Sequence, residues 1–172
     1  MPDAADDLNR PFILTRTFNA PRDLVWKAWT DEAHLAKWFG PKGTKIVRAK
    51  MDLRPGGSYH YGMEMPNGQV MWGRWIIREV VAPEKLVVIV SFSDEQGGVT
   101  RHPMAADWPL QTLSKTTFSA QGDKTLMRFE WSAYEATVVE KKAFDAGRAS
   151  MEQGWGGTLQ QLDEYLASVQ SR

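Results

Sequence analysis

Residues 137–170 read TVVEKKAFDAGRASMEQGWGGTLQQLDEYLASVQ. Within them Phe144, Gly147, Met151, Trp155, Thr158, Leu162, Tyr165 and Val169 recur every three or four positions, the spacing that stacks side chains on one face of a helix. Upstream the apolar period is two. The change of period predicts a C-terminal helix of roughly 30 residues, about 45 Å long at 1.5 Å per residue. Such a helix needs a broad surface to lie on. Gly147 and the run Gly154-Trp155-Gly156-Gly157 sit inside it, although glycine in a helix interior costs about 1 kcal/mol against alanine. They predict close backbone approach or a local bend, with Trp155 turned inward.

The surface comes from strands. Phe12–Phe18 mixes apolar and β-branched residues. Pro21 suits the first turn of a helix, where its missing N–H is not needed, and Leu24, Val25, Ala28 and Trp29 follow at helical spacing. Thr30 is expected to cap a second short helix, with Asp31 and Glu32 in its first turn, Leu35, Trp38 and Phe39 as its apolar face and Gly40-Pro41 as its end. Segments near 44–53, 58–65, 69–81, 86–93, 111–119 and 124–134 read as strands. Turn signals separate them, among them Arg54-Pro55-Gly56-Gly57 and Pro66-Asn67-Gly68. The stretch 94–108 is long and irregular, which marks it as mobile or functional. Strands followed by a helix, without βαβ alternation, predict an α+β fold: a curved antiparallel sheet of six or seven strands wrapped around the long helix. A leader over 1–11 and one domain over 12–170 are expected.

Alternation assigns the sheet's faces. Val47, Ala49, Met51 and Leu53 share an apolar side, as do Tyr59, Tyr61, Met63 and Met65, and as do Met127, Phe129 and Trp131. A two-residue turn at Asn67-Gly68 pairs Tyr61 with Arg74, Met63 with Trp72 and Tyr59 with Ile76, which puts Trp72, Arg74 and Ile76 inside. A three-residue loop shifts the register by one and turns Gly73 and Trp75 inward instead. An inward arginine needs a partner, because unpaired buried charge is costly. A ligand carboxylate or phenolate beside the tyrosine hydroxyls would serve, and so would an internal acid. Eight tryptophans crowd the chain. Large flat side chains on a curved sheet leave gaps that one helix does not fill, and such gaps are where small ligands bind. Plain core packing accounts for the same residues if the gap closes.

Composition removes several function classes. Lys+Arg and Asp+Glu both number 21, so there is no basic excess to neutralise phosphates and no nucleic-acid partner is expected. There is no cysteine, hence no thiolate metal site or cysteine nucleophile. His34, His60 and His102 lack metal-ligand spacing and read as surface residues. No metal or cofactor is expected. No apolar run reaches the ~18 residues of a membrane span, and the cytoplasm is the expected location. No nucleophile elbow, P-loop or dinucleotide fingerprint occurs. The only catalytic candidates are His102 and Asp107, should the 94–108 loop fold over a cavity mouth.

Ala20-Pro21 with Val25-Trp26-Lys27-Ala28-Trp29-Thr30 resembles the opening of the START-like superfamily. Trp38-Phe39-Gly40-Pro41, Asp52-Leu53-Arg54-Pro55-Gly56-Gly57 and Met151-Glu152-Gln153-Gly154-Trp155 resemble its branch named for the C-terminal domain of the activator of the ninety-kilodalton heat-shock-protein ATPase. The resemblance spans about 12–168 and implies a helix-grip fold with a cavity between sheet and C-terminal helix. Relatives bind lipids, hormones or polyketides, and some cyclise polyketides. Its branch name implies a chaperone partner and a role in stress, and most members are small bacterial proteins. The expected function is binding of a small hydrophobic or aromatic ligand, with an acidic ligand group left open. The expected ligand residues are Tyr59, Tyr61, Met63, Trp72, Arg74, Trp108, Met127, Phe129, Trp131, Phe144, Met151 and Trp155. A cyclase or aromatase in the same cavity, a chaperone-interaction domain and a homodimer remain alternatives.

Overall fold

The computed structural model describes residues 8–171. In chain order it contains β1 (Phe12–Phe18), α1 (Arg22–Thr30), α2 (Glu32–Trp38), β2 (Lys45–Met51), β3 (Ser58–Glu64), β4 (Val70–Val81) and β5 (Lys85–Ser93). Then follow β6 (Val99–Thr100), β7 (Thr112–Gln121), β8 (Lys124–Ala133), α3 (Val138–Ala146) and α4 (Arg148–Gln170). The strands make one antiparallel sheet ordered β1-β8-β7-β5-β4-β3-β2, with the short β6 beside β5. The α+β architecture expected from the change of period is the one observed. Of the expected leader, residues 1–7 lie outside the described residues, while the carbonyls of Arg10 and Pro11 accept hydrogen bonds from Arg148.

The long helix is two helices. Gly147, at φ −89° and ψ 4°, ends α3 and starts α4. At 23 residues α4 is about 35 Å long, enough to cross the sheet. Met151, Thr158, Leu159, Leu162 and Leu166 form its buried stripe. Arg16 of β1 donates from Nε to Asp163 at 3.0 Å and fastens the helix to the sheet's edge. The expected close approach at Gly154, Gly156 and Gly157 is not found, because a Cβ at any of the three would meet nothing within 4 Å. Nothing in the structure explains the glycines at 156 and 157.

The cap of α2 is Asp31 rather than Thr30. The Asp31 carboxylate accepts from the backbone N–H groups of Ala33 (2.9 Å) and His34 (3.2 Å), while the Thr30 hydroxyl donates back to the Trp26 carbonyl. Asp31→Ala should therefore cost about 1 kcal/mol in a denaturant titration. A loss confined to Thr30→Ala would contradict this assignment.

The β3–β4 register is the three-residue alternative. Met65 N–H donates to the Gln69 carbonyl at 2.7 Å, which leaves Pro66-Asn67-Gly68 as the loop, with Gly68 at φ +87°. A two-residue turn would pair Pro66 with Gln69 and require an N–H that proline lacks. Tyr59 consequently faces Trp75, Tyr61 faces Gly73 and Met63 faces Met71. Arg74 faces His60 on the other side of the sheet, so its expected inward position is corrected.

This register also solves a packing problem. A Cβ on Gly73 would lie 2.3 Å from Cζ and Oη of Tyr61, so the Tyr61 ring lies flat over Gly73. On the opposite face the Trp72 ring covers Gly62 in the same way, at 2.7 Å from the position of a Cβ. In β2 a bulge between Ile46 and Arg48 exchanges faces. Ile46 pairs with Met63, and Val47, expected inside, is 44% exposed. Leu53, also expected inside, lies beyond the strand and is 37% exposed. Ala49 and Met51 keep their inward places.

Candidate functional site: a cavity between sheet and helix

Between the concave sheet and α4 lies a cavity of about 620 Å³. Its floor is built by alternate residues of adjacent strands: Tyr61 and Met63 of β3, Met71 and Trp75 of β4, Leu86, Val88 and Val90 of β5, Thr112, Ser114 and Thr116 of β7, and Phe129 and Trp131 of β8. The helix side contributes Gly147, Ser150, Met151, Gly154, Trp155 and Thr158, which recur every three or four positions with the adjacent pairs Ser150-Met151 and Gly154-Trp155. Gly154 is on this face, so its missing side chain leaves room in the cavity. Trp29, Phe39, Gly40 and Pro41 close one flank, and His102, Met104, Ala105, Trp108 and Pro109 close the other.

Two aromatic banks face the space. Phe39 stands edge-on to Tyr61 (5.3 Å) and Trp75 (5.7 Å). Opposite them Trp155 packs on Phe129 at 4.6 Å, stacks on Trp29 at 6.3 Å and meets Trp131 edge-on at 6.3 Å. Of the expected ligand residues, Tyr61, Met63, Trp72, Trp108, Phe129, Trp131, Met151 and Trp155 touch the cavity. Trp72 does so although its ring stacks on His60 on the outer face, 5.3 Å away.

Tyr59, Met127 and Phe144 do not line it. Each is essentially fully buried and supports the wall from behind: Tyr59 beneath Tyr61 and Trp75, and Phe144 beneath Trp108 and Trp131. Arg74 is absent from the wall and donates to the Gly97 carbonyl at 2.8 Å.

Among the described residues no Asp, Glu, Lys or Arg lines the cavity. Tyr61 and His102 are the titratable groups on its wall, and burial favours the neutral form of each. Burial pushes the Tyr61 phenol up to about 12. Burial also lowers the pKa of His102. Met104 N–H donates to His102 Nδ1 at 3.0 Å, so the proton of the neutral ring is on Nε2. His102 is half-buried: its ring packs on Phe92 at 4.6 Å and lines the cavity. Asp107 is exposed and does not reach the cavity wall. Tyr59 is likewise kept protonated, first by burial and then by Tyr61 and Glu32, and its hydroxyl has no hydrogen-bond partner among the described residues.

The loop over the mouth is held by one carboxylate. Glu140 of α3 accepts from Arg101 Nη1 (3.1 Å) and from the backbone N–H of Leu110 (2.8 Å), so it gathers both ends of 101–110. Its other oxygen accepts from Thr137 N–H at 3.0 Å and completes a capping box. The Thr137 N–H is the chief reason its pKa falls to about 2, followed after the opposing effect of burial by Leu110, Arg101 and the Thr137 hydroxyl. Among the described residues no His, Cys, Asp and Glu cluster is arranged to hold a metal ion, and no helix is long and apolar enough to cross a membrane.

Solved structures share this architecture. A Mycobacterium smegmatis protein is similar at TM-score 0.69 and 26% identity, covering 88% of this chain and 87% of its own. An Arthrobacter aurescens protein reaches TM-score 0.74 at 24% identity, covering 92% and 86%. A Silicibacter pomeroyi protein designated AHSA1 gives 0.68 at 18%, covering 91% and 97%. At these identities the likeness concerns the fold. No curated protein sequence matches the chain. The family described as Activator of Hsp90 ATPase homolog 1-like protein matches residues 19–167, which span both short helices, the sheet from β2 onward and nearly all of α4, and the chain belongs to that family.

Proposed function

We propose that this chain binds a small, uncharged hydrophobic or aromatic molecule between its sheet and α4. The observation that carries the reading is the cavity of about 620 Å³, walled by Trp29, Trp72, Trp75, Trp108, Trp131 and Trp155 and, among the described residues, by no formally charged side chain. That volume falls within the roughly 300–1,000 Å³ of small-molecule sites. A carboxylate placed there would lose its hydration without gaining a cation, because Arg74 is engaged on the other face. The acidic ligand left open by the sequence is therefore disfavoured.

A thermal-shift panel of neutral flavones, aromatic ketones, fatty acids and aromatic acids tests this. A neutral aromatic at about 100 times its Kd should add about 2.7 kcal/mol and raise Tm by roughly 5–10 °C. A panel without any neutral compound that shifts Tm or quenches the tryptophan fluorescence would contradict the reading.

His102 favours a second reading, acid–base chemistry in the same cavity. It requires His102→Asn to abolish turnover of a bound compound while its binding persists. The family's description also names a chaperone ATPase activator, and stimulation of such an ATPase by this chain is the assay for that partner.

A further inference from the structure

The cavity's inner end is not uniformly apolar. Thr116 and Ser114 of β7 and Thr158 of α4 are 2%, 6% and 6% exposed, and all three line the cavity. No protein hydrogen bond reaches their hydroxyls among the described residues. Trp29, 2% exposed and also lining, has an indole N–H without an acceptor. Buried hydroxyls and N–H groups normally find partners, because each one left unmade costs about 1–3 kcal/mol.

The four residues are linked through one stretch of the wall, where the Trp29 indole N–H is itself buried. Thr116 is the cross-strand partner of Phe129, and Ser114 of Trp131. Phe129 packs on Trp155, which stacks on Trp29. Thr158 is one helical turn beyond Trp155. On its other side Thr116 pairs with Leu86, and Ser114 with Val88, so apolar side chains flank both hydroxyls. The outer end differs: Met65 and Met71 flank the β3–β4 loop, and Met104 is 82% exposed. Flexible thioethers there accommodate varied apolar shapes.

We infer that the cavity takes a neutral aromatic molecule oxygen-first, with a carbonyl or ether oxygen accepting hydrogen bonds at the Trp29, Ser114, Thr116 and Thr158 end and an apolar body toward the methionines. An acceptor is specified because an indole N–H only donates. The inference rests on the proposed ligand-binding function and adds the class and orientation of the ligand.

Three probes of one shape separate the two: fluorene, 9-fluorenone and fluorenone-4-carboxylate, measured by calorimetry on the full chain. Fluorenone should bind about tenfold tighter than fluorene, the worth of one or two net hydrogen bonds. The carboxylate should bind weakest. Thr116→Val with Ser114→Ala should bring fluorenone within about twofold of fluorene. Trp29→Phe should narrow the gap independently. Equal binding of fluorene and fluorenone to the unaltered chain would overturn the polar subsite while leaving the cavity as a binding site. Tightest binding by the carboxylate would overturn the neutral class. Absence of binding by all three would overturn the inference together with the function it rests on.

Discussion

Gly73→Ala should lower the stability of the protein by about 2–3 kcal/mol, a fall in Tm of roughly 5–10 °C for a chain of this size. The added methyl would stand 2.3 Å from Cζ and Oη of Tyr61, far inside van der Waals contact. Backbone strain is not the cause, since Gly73 is not among the glycines at positive φ. On a strand the change itself is neutral or mildly favourable once a side chain has room. The ring must therefore move, and the free space beside it is the cavity it lines. Ligand affinity should fall along with stability. In a Tyr61→Ala background the same substitution should cost under about 1 kcal/mol, and this coupling isolates the steric cause. Equal costs in the two backgrounds would show that the ring is not the obstacle.

Glu140→Ala should cost about 3 kcal/mol and free the loop over the cavity. The carboxylate joins Thr137, Leu110 and Arg101, and its removal leaves two backbone N–H groups and a guanidinium without their acceptor. Faster amide exchange over 101–110 and faster release of a bound aromatic should accompany the loss. Acid gives an independent check. The folded pKa of Glu140 is near 2, below the ordinary value of 4.5. The unfolded chain therefore takes up the proton first as pH drops. The contribution of Glu140 to stability is complete above about pH 4.5 and fades as pH falls toward 2. Glu140→Gln should flatten that part of the stability profile. A variant with the acid slope of the parent would show that Glu140 is not its source.

The long helical segment, the two short helices and most of the strand segments were legible because their signals are local: a period, a proline at a helix start, a turn sequence. The inward places of Tyr61, Met63, Phe129 and Trp131 followed from alternation within single strands. Arg74 was misplaced because register is a relation between strands. Pro66, which cannot supply the N–H of a two-residue turn, and the two aromatic–glycine pairs Tyr61/Gly73 and Trp72/Gly62 held the answer. Thr112, Ser114 and Thr116 escaped notice because alternating hydroxyls look like a wet face; Phe118, next in the same row, marks it as inward. Trp29 and His102 reach the cavity only through tertiary packing of α1 and of the 101–110 loop. No local pattern announces Trp29, and His102 was a candidate only on the condition that its loop folds over the cavity.

The central claim is that the space between the sheet and α4 receives a guest. Methyl NMR of methionine-labelled protein tests it most directly. Met63, Met65, Met71, Met104 and Met151 line the cavity, whereas Met51 and Met127 do not. On titration with 9-fluorenone the account predicts saturable shifts in the first five resonances, with Met127 scarcely moved. Shifts confined to Met51 or Met127, or no saturable shift in any methionine, would contradict it.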